Sequence, residues 1–418
     1  MRILFVTSRS PFSPTRGDTL RAYHQIRLLS QRHDLTLVAP LNGDSVRARE
    51  PAAWEFRCDT VDLRWSRTAG LVQLLRAPFS ALPIQVLYVY PPDTSSVVSR
   101  LVSTRRFDLV HIQLVRMGPV ADVVDVPCVL DYQDAFSLNA ERRARLGPGW
   151  WSYALRIEAA RVRRYERELS RKVTFGTVTS ADDMNAMGNP SNCVVIPNGV
   201  DLDAFRFRQH RPACSEIVFT GRMSYYPNAD AAEWFATGIL PRIRATVPDA
   251  RFVIAGADPP QRVRRLSGLP GVTVTGYVRS IYDPLAGAAV AVAPLRCATG
   301  IQNKVLEAMA TGTPVVSTPD AVRGIEVTSG RHLMVAQTEE EFAAHVRRLL
   351  QDRSFADRMA RQARALVESR HTWEHSVKAL EQLYDAAVNR AVVPAAAGPR
   401  RLAADQEFEP IGAGSGSR

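Results

Sequence analysis

Short apolar runs alternate along the chain with longer segments in which apolar residues recur at helical spacing. The first group of runs predicts strands at 2–7, 35–40, 108–113, 126–132 and 174–178. Segment 19–32 has a helical period, and such alternation is typical of a parallel sheet flanked by helices. The pattern then repeats in runs at 216–221, 251–256, 272–276, 289–294 and 314–318. The sequence therefore predicts an α/β protein with two doubly wound, Rossmann-like domains.

Length and turn-forming residues give the predicted domain boundaries. A chain of 418 residues is longer than one hydrophobic core usually organises. Pro197 and the Asn198-Gly199 turn interrupt the chain between the two series of strands, which predicts a linker. We expect a first domain at 1–193, the linker at 194–212, a second domain at 213–370, a last helix at 371–390 and a disordered tail at 391–418. The last helix is expected to return to the first domain.

Composition adds three constraints. No run of eighteen apolar residues occurs and no signal-peptide core precedes the first strand, which predicts a cytoplasmic protein. Five scattered cysteines without a CxxC pair indicate neither a disulfide framework nor a zinc site, and we expect buried, reduced thiols. The net charge of +11 favours phosphate-bearing partners, but no nucleic-acid-binding motif accompanies it, so nucleic acid is not an expected partner.

The most informative segment is 299–316, a glycine-containing loop followed by a helix, a glycine stop and a buried strand. A helix N-terminus offers backbone N–H groups to a diphosphate, and Lys304 adds a positive charge in the first turn. Glu307, one turn further on, is placed to accept hydrogen bonds from ribose hydroxyls. Ordinary strand–loop–helix packing gives the same local pattern, so the loop alone does not establish a diphosphate site.

This segment resembles the family 4 glycosyltransferases, in which two glutamates separated by seven residues precede an Ala-Met-Ala and Gly-x-Pro-Val-Val run. Glu307 matches the second glutamate, which in the family binds the donor ribose. Thr299 replaces the first, which in the family lies against the donor sugar. The sequence of residues 300–304 is similar to that of a subgroup associated with exopolysaccharide and exosortase systems. The resemblance implies the GT-B architecture and donor contacts from Thr299, Gly300, Ile301, Gln302, Asn303 and Lys304.

Further segments extend the resemblance over nearly the whole chain. Segment 196–201 is similar to the family's linker, and 219–223 looks like its strand-to-loop turn, in which an arginine, here Arg222, holds the donor diphosphate. The family's following lysine is absent, with Tyr226-Pro227-Asn228 in its place, and we expect Lys304 to supply that charge. Arg222 and Lys304 would stabilise the departing diphosphate, which makes both candidate catalytic residues.

A third donor contact is expected after the strand at 272–276. The family reads the nucleotide base there with backbone groups, which makes Tyr277 and Val278 candidates. An aromatic side chain packed in the core would explain Tyr277 equally well.

Candidates in the first domain follow predicted strands, where α/β sheets place their ligands. Gly17 resembles the family's loop glycine near the donor phosphate, since glycine permits close backbone approach. His111 follows the strand residues 108–110 and Asp134 the strand residues 129–132, and both are candidate catalytic residues. In the family, a His or Asp in the position of Asp134 faces the sugar. The alternatives are a core histidine and a helix cap. Arg16 and Arg21 fit an anionic acceptor or, more plainly, solvated helix charges.

Two stretches combine apolar and basic residues. Segment 141–172 contains several aromatic residues and many arginines, and is either a surface for anionic lipid or a long packed helix with one charged face. Apolar segment 71–89, interrupted by Pro78 and Pro83, is either an acceptor-side surface or core.

The sequence thus predicts a glycosyltransferase that moves a sugar from a nucleotide-diphosphate-sugar donor to a saccharide or lipid-linked acceptor in polysaccharide or glycoconjugate synthesis. The resemblance implies a retaining, hexosyltransferase-type enzyme without a cofactor. No Asp-x-Asp motif stands at a convincing strand end, which predicts transfer without metal. A lipid-linked acceptor would favour peripheral contact with the inner face of the cell membrane.

Other functions stay open at this point. A nucleotide-sugar epimerase on the same fold would turn over donor without acceptor, and a non-catalytic scaffold of a polysaccharide assembly complex would bind nucleotide without consuming it. A nicotinamide dehydrogenase is disfavoured, because the first strand leads to no glycine-rich dinucleotide fingerprint.

Overall fold

The computed structural model describes residues 1–392 except 13, 15, 42–57, 147–148, 209, 211 and 299. The predicted disordered tail, apart from its first two residues, therefore lies outside the described residues. So does Thr299.

The first sheet comprises β1 (Arg2–Thr7), β2 (Asp34–Ala39), β3 (Asp59–Asp62), β4 (Leu109–Gln113), β5 (Cys128–Gln133), β6 (Phe175–Val178) and β7 (Cys193–Val195). Its order is β3-β2-β1-β4-β5-β6-β7, and all its strand pairs are parallel. Strands β4 and β5 are buried along their whole length because helices cover both faces. The helices described between these strands are α1 (Gly17–Leu29), α2 (Arg67–Leu74), α3 (Ile84–Val89), α4 (Thr94–Thr104), α5 (Phe136–Leu146), α6 (Gly149–Lys172) and α7 (Ala181–Ala186).

The second sheet comprises β8 (Glu216–Thr220), β9 (Arg251–Ala255), β10 (Val272–Gly276), β11 (Val290–Ala293), β12 (Val315–Ser317) and β13 (Met334–Val335). Its order is β10-β9-β8-β11-β12-β13, again all parallel. Its helices are α8 (Tyr226–Trp234), α9 (Leu240–Arg244), α10 (Gln261–Arg264), α11 (Tyr282–Gly287), α12 (Asn303–Thr311), α13 (Glu339–Gln351) and α14 (Arg353–Arg370). The prediction of two doubly wound α/β units is confirmed.

The final helix, α15 (Trp373–Val392), packs against the first sheet. Its buried residues Trp373, Val377 and Leu380 recur at helical spacing and share one hydrophobic cluster with Ile3 and Phe5 of β1. The expected return of this helix to the first domain is therefore confirmed.

The two chain segments that connect the sheets lie side by side. The N–H of Val200, between β7 and β8, donates to the carbonyl of His371, just before α15, at 2.9 Å. A Cβ at Gly199 would collide with the backbone of Thr372 and Trp373, so glycine permits this close approach. Both connections therefore form one narrow junction.

One expectation from composition is wrong. All five cysteines are free, as expected, but Cys214 is exposed and Cys58 only half-buried. Cys214 lies just before β8, at the start of the second sheet, where the chain is on the surface.

Candidate functional site

The strand order reverses at one point in each sheet, between β1 and β4 and between β8 and β11. Doubly wound sheets bind ligands beyond the carboxyl ends of the strands at these points. Contacts join the two edges across a cleft: a Cβ at Gly300, after β11, would collide with the carboxylate of Asp134, after β5. The Arg142 guanidinium of α5 also donates to the carbonyl of Ala298. Asp134 and Gly300, one predicted site residue from each sheet, therefore meet across this cleft.

Arg222 and Lys304 are held together by Asn228. Lys304 Nζ donates to Asn228 Oδ1, while Asn228 Nδ2 donates to the backbone carbonyl of Arg222 at 2.8 Å. The ammonium also lies 4.8 Å from the centre of the Phe219 ring. The sequence singled out Asn228 only as part of Tyr226-Pro227-Asn228, the run that stands where the family has a lysine, and in the structure Lys304 Nζ contacts this residue.

Burial shifts the pKa of two side chains in the first two turns of α12. It lowers the pKa of Lys304 to about 7, with Glu307 acting in the opposite direction. Burial likewise raises the pKa of Glu307 to about 7, opposed by Lys304. Because these residues lie three positions apart on one helical face, each partly offsets the burial of the other's charge. Gly300, Ile301 and Gln302 form the loop into this helix, and Asn303 is its first residue.

Guanidinium groups converge from both sides of the cleft. Burial lowers the pKa of Arg16, and the positive charges of Arg9 and Arg222 lower it further. Burial lowers the pKa of Arg116 to about 10, and Arg9 and Arg16 add to the effect. Asp18 pairs with Arg9, and Asp258 pairs with Arg222 at 2.6 Å. Positive charge therefore exceeds negative charge at the point where the two switch points meet.

Sequence analysis missed Arg9 and Arg116. Arg9 stands in the loop after β1, and Arg116 in the 3-10 helix Val115–Asp122 after β4; these two strands flank the first switch point. Their place after these strands is a signal that would have found them once the strand order was known.

Asp134 contacts the second domain and lies near a second buried carboxylate, that of Asp183. Its Oδ1 accepts a hydrogen bond from Thr179 Oγ1 at 3.2 Å. Burial and the negative charge of Asp183 raise its pKa to about 7. The N–H of Ala135, at the start of α5, donates to Asp183 rather than to Asp134. The contacts of Asp134 thus fit a site residue better than a helix cap.

Gln133 is a third residue that the sequence did not single out. Its φ is +66°, which is unusual for a residue other than glycine, and the ladder between β5 and β6 is irregular there. Its side-chain oxygen is buried without a hydrogen-bond partner. A Cβ at Gly17 would lie 3.8 Å from Gln133 Nε2, so the two face each other at the cleft. Strained, unsatisfied groups cluster at functional sites, and this one adjoins Asp134.

Two expectations for the first domain are wrong in placement. His111 lies within β4, not after it, and is fully buried between Phe5 and Tyr384, whose hydroxyl is 2.7 Å from its Nδ1. Burial lowers the pKa of His111 to about 4, so the imidazole is neutral. His111 is therefore a core histidine, which does not line the cleft. Arg21 is not a solvated helix charge either: it is fully buried and donates to Asp131 at 2.6 Å.

The remaining candidates are exposed or half-buried. Gly17 begins α1 and is exposed, and a Cβ there would make only an ordinary contact. Tyr277 follows β10 and is 74% exposed, which excludes core packing as the explanation for this residue. Val278, beside it, is half-buried.

Within the described part of the chain, no cluster of three His, Cys, Asp or Glu side chains is arranged to hold a metal ion. Across the same residues, no helix combines the length and the apolar character needed to cross a membrane.

Comparisons with known proteins agree with this geometry. Residues 19–204 match the model of "Glycosyltransferase Family 4" and residues 214–352 that of "Glycosyl transferases group 1". Over 281 residues the chain is 28% identical to glycogen synthase of Mycobacterium tuberculosis, covering 64% of this chain and 65% of the relative. Over 205 residues it is 32% identical to a GDP-mannose-dependent phosphatidylinositol dimannoside mannosyltransferase of the same species, covering 46% and 51%.

Solved structures match over nearly the full length. Sucrose-phosphate synthase from Thermosynechococcus elongatus superposes with a TM-score of 0.72 at 18% identity, over 94% of this chain and all of that one. HepE from Anabaena, solved in complex with UDP, gives 0.66 at 15% identity over 92% and 100%. The chain spans about two thirds of the glycogen synthase length, at 65%. The two family matches and the fold together support a family 4 glycosyltransferase of GT-B architecture.

Proposed function

We propose that this protein transfers a sugar from a nucleotide-diphosphate-sugar donor to a saccharide or lipid-linked acceptor. The observation that carries the proposal is the pairing of Arg222 and Lys304 through Asn228 at the beginning of α12. Two cationic side chains beside a helix N-terminus form a site for a diphosphate. Arg16 lies close enough to Arg222 for that positive charge to lower its pKa, and Arg16 in turn lowers the pKa of Arg116.

In this proposal the nucleotide lies on the second domain and the acceptor on the first. The anomeric carbon exchanges its bond to the diphosphate oxygen for a bond to an acceptor hydroxyl, whose proton passes to the departing diphosphate. Arg222, Lys304 and the α12 N-terminus stabilise the negative charge that develops there. Glu307 accepts from the ribose, and Asp134 faces the sugar from across the cleft.

Retention of anomeric configuration and independence from metal are part of the proposal. Retention follows from the resemblance to the family. Metal independence follows from Arg222, Lys304 and the neighbouring guanidinium groups, which supply the positive charge that a divalent ion provides in other transferases. Treatment with EDTA should leave the rate unchanged, whereas activity that is lost and then restored by magnesium would contradict this part.

The biological setting is proposed more broadly, as cell-surface polysaccharide or glycoconjugate synthesis in the cytoplasm, at or near the inner membrane face. Membership of the exopolysaccharide-associated subgroup is supported only by the amino-acid sequence of residues 300–304.

The first test is thermal melting of the purified chain against nucleoside diphosphates and their sugar conjugates. A ligand that binds only the native state raises the melting temperature, because it adds about 2.7 kcal/mol to the free energy of unfolding when its concentration is about a hundred times Kd. A selective shift with one nucleotide supports the proposal and names the donor class. Donor turnover without acceptor would favour an epimerase, and nucleotide binding without any turnover, across an acceptor panel, would favour a scaffold.

A further inference from the structure

An exposed apolar surface lies on the first domain. Phe79 is 93% exposed, Leu75 76% and Tyr153 70%. Single exposed apolar residues are ordinary, but a contiguous group marks a contact surface. We call this group the apolar surface, and its members are Leu71, Val72, Leu75, Phe79, Tyr153 and Ile157.

Helix α2 turns its apolar residues outward because its other face is occupied. A Cβ at Gly70 would collide with Tyr88 of α3, so the two helices are in close contact there. Gln73 Nε2 donates to the carbonyl of Tyr90 at 2.9 Å, on the same side. The positions left over on α2 and just after it, Leu71, Val72 and Leu75, therefore face away from the protein.

Helix α6 adjoins this segment and continues the apolar surface. Arg161 Nη2 donates to the carbonyls of Ser80 and Leu82, both at 2.7 Å, and Glu158 accepts from the N–H of Ile84, also at 2.7 Å. Residues four apart lie on one helical face, so Ile157 and Tyr153 extend the row that Arg161 begins. The apolar residues of the two segments thus form one surface.

The rim of the apolar surface is basic. No acidic residue occurs between Asp62 and Asp93, a stretch that contains three exposed arginines, Arg64, Arg67 and Arg76. On α6, Arg156 is exposed beside Ile157. Glu158, the nearby acid, is held by the backbone of Ile84. An apolar centre with a positive rim matches a bilayer whose headgroups are anionic, since arginines meet phosphates while apolar side chains enter the acyl boundary.

The same features argue against a second copy of the chain as the occupant. Two identical positive rims repel each other when the surfaces meet face to face. A planar lipid surface carries the opposite charge and accommodates a protruding Phe79.

The apolar surface lies toward the cleft. The segment that carries Leu75 and Phe79 leaves the carboxyl end of β3, and α6 ends immediately before β6 begins, so its first half lies toward the carboxyl edge of the sheet. We propose that this surface docks the protein on an anionic lipid bilayer and orients the cleft toward it. The inference goes beyond sugar transfer and does not depend on it.

The test is flotation of the full chain with vesicles of phosphatidylcholine alone and with one quarter phosphatidylglycerol. We expect binding only to the anionic vesicles, weakened in 0.5 M NaCl because the arginine contribution is screened. Leu75→Ser with Phe79→Ser should lower the partition coefficient at least tenfold. Arg67→Glu with Arg76→Glu should lower it roughly twentyfold or more. Val194→Ser, on the exposed edge strand β7, and Arg251→Glu, at the far end of β9, are the matched controls and should bind as the parent does.

Three results would overturn the assignment: no binding to anionic vesicles, binding that survives both double substitutions, or dimerisation in light scattering that Phe79→Ser abolishes. All substituted positions lie on the surface, so circular dichroism should show an unchanged fold. The nucleotide-induced melting shift of each variant is measured in parallel, so that failure of the lipid surface and failure of the donor site are distinguished.

Discussion

The side chain of Asn198, in the linker, donates from Nδ2 to Oδ1 of Asn303, the first residue of α12, at 3.1 Å. The other end of the Asn198 amide accepts from Arg21 at 2.8 Å, and Arg21 is bound to Asp131 in the first sheet. One amide therefore connects the core of the first domain to the helix that we propose for the diphosphate.

We predict that Asn198→Ala lowers the free energy of unfolding by about 2 kcal/mol, because it removes an acceptor from a fully buried guanidinium. Asn303→Ala should cost less, about 0.5–1 kcal/mol, since only one hydrogen bond is lost. Urea denaturation measures both, with the exposed Gln351→Ala as control. If Asn198→Ala lowers the free energy of unfolding no more than the control does, the Asn198 connection does not stabilise the protein.

Arg222→Ala should weaken binding of the donor nucleotide by about 10- to 100-fold, since a charge-assisted hydrogen bond contributes roughly 1.5–3 kcal/mol. Isothermal titration at fixed salt measures the change. Arg251→Ala is the matched control: Arg251 begins β9 and is exposed, at the end of the strand opposite the cleft. Equal affinities for the two variants would remove Arg222 from the proposed site.

Nucleotide binding at pH 8 should take up protons. Burial lowers the pKa of Lys304 to about 7, so the free protein carries mostly the neutral amine at this pH. A diphosphate beside Nζ favours the ammonium and raises that pKa, so affinity should fall as pH rises above 7. Titrations in buffers of different ionisation enthalpy report the uptake. Lys304→Arg keeps a permanent charge, so it should bind without proton uptake; uptake that persists in this variant would assign the proton to another group.

Asp134→Asn should stabilise the free protein at pH 8 by up to about 4 kcal/mol, at about 1.36 kcal/mol per pH unit between the two pKa values of Asp134, while lowering the transfer rate. Burial raises the pKa of Asp134 from 3.8 to about 7, so the wild-type loses stability as the pH rises through that window and a buried charge forms. The variant cannot ionise, so the difference should be small at pH 4 and constant above pH 7. Thermal melts across this range test it; an equal difference at every pH would place the effect in packing instead. Asp182→Asn, at an exposed neighbouring carboxylate, is the control.

Much of the fold could be predicted because the buried strands are long Val/Ile/Leu runs and α15 has a clear helical period. The short strands β3 and β13 were missed: β3 is the polar run Asp59–Asp62, and β13 has two residues. In the site, residues within one motif, such as Lys304 and Glu307, could be identified from sequence. Arg9, Arg116 and Gln133 could not, because their position depends on strand order and on a local backbone distortion.

The misplacement of His111 has the same origin. Its strand position gave no sign that α15, more than 250 residues later, covers that face of the sheet with Tyr384. Side-chain environment in a parallel sheet is decided by whichever helix packs on it, and that helix need not be near in sequence.

The packing of α15 has a consequence for biogenesis. During vectorial synthesis the first domain emerges from the ribosome early, yet residues 373–392, which complete its core, emerge after the entire second domain. Until then the nascent chain exposes the apolar faces of β1 and α1 that Trp373 and Tyr384 later cover. The first domain thus reaches its native state only after the second has been translated, and the exposed interval is the period in which the nascent chain is most prone to aggregate.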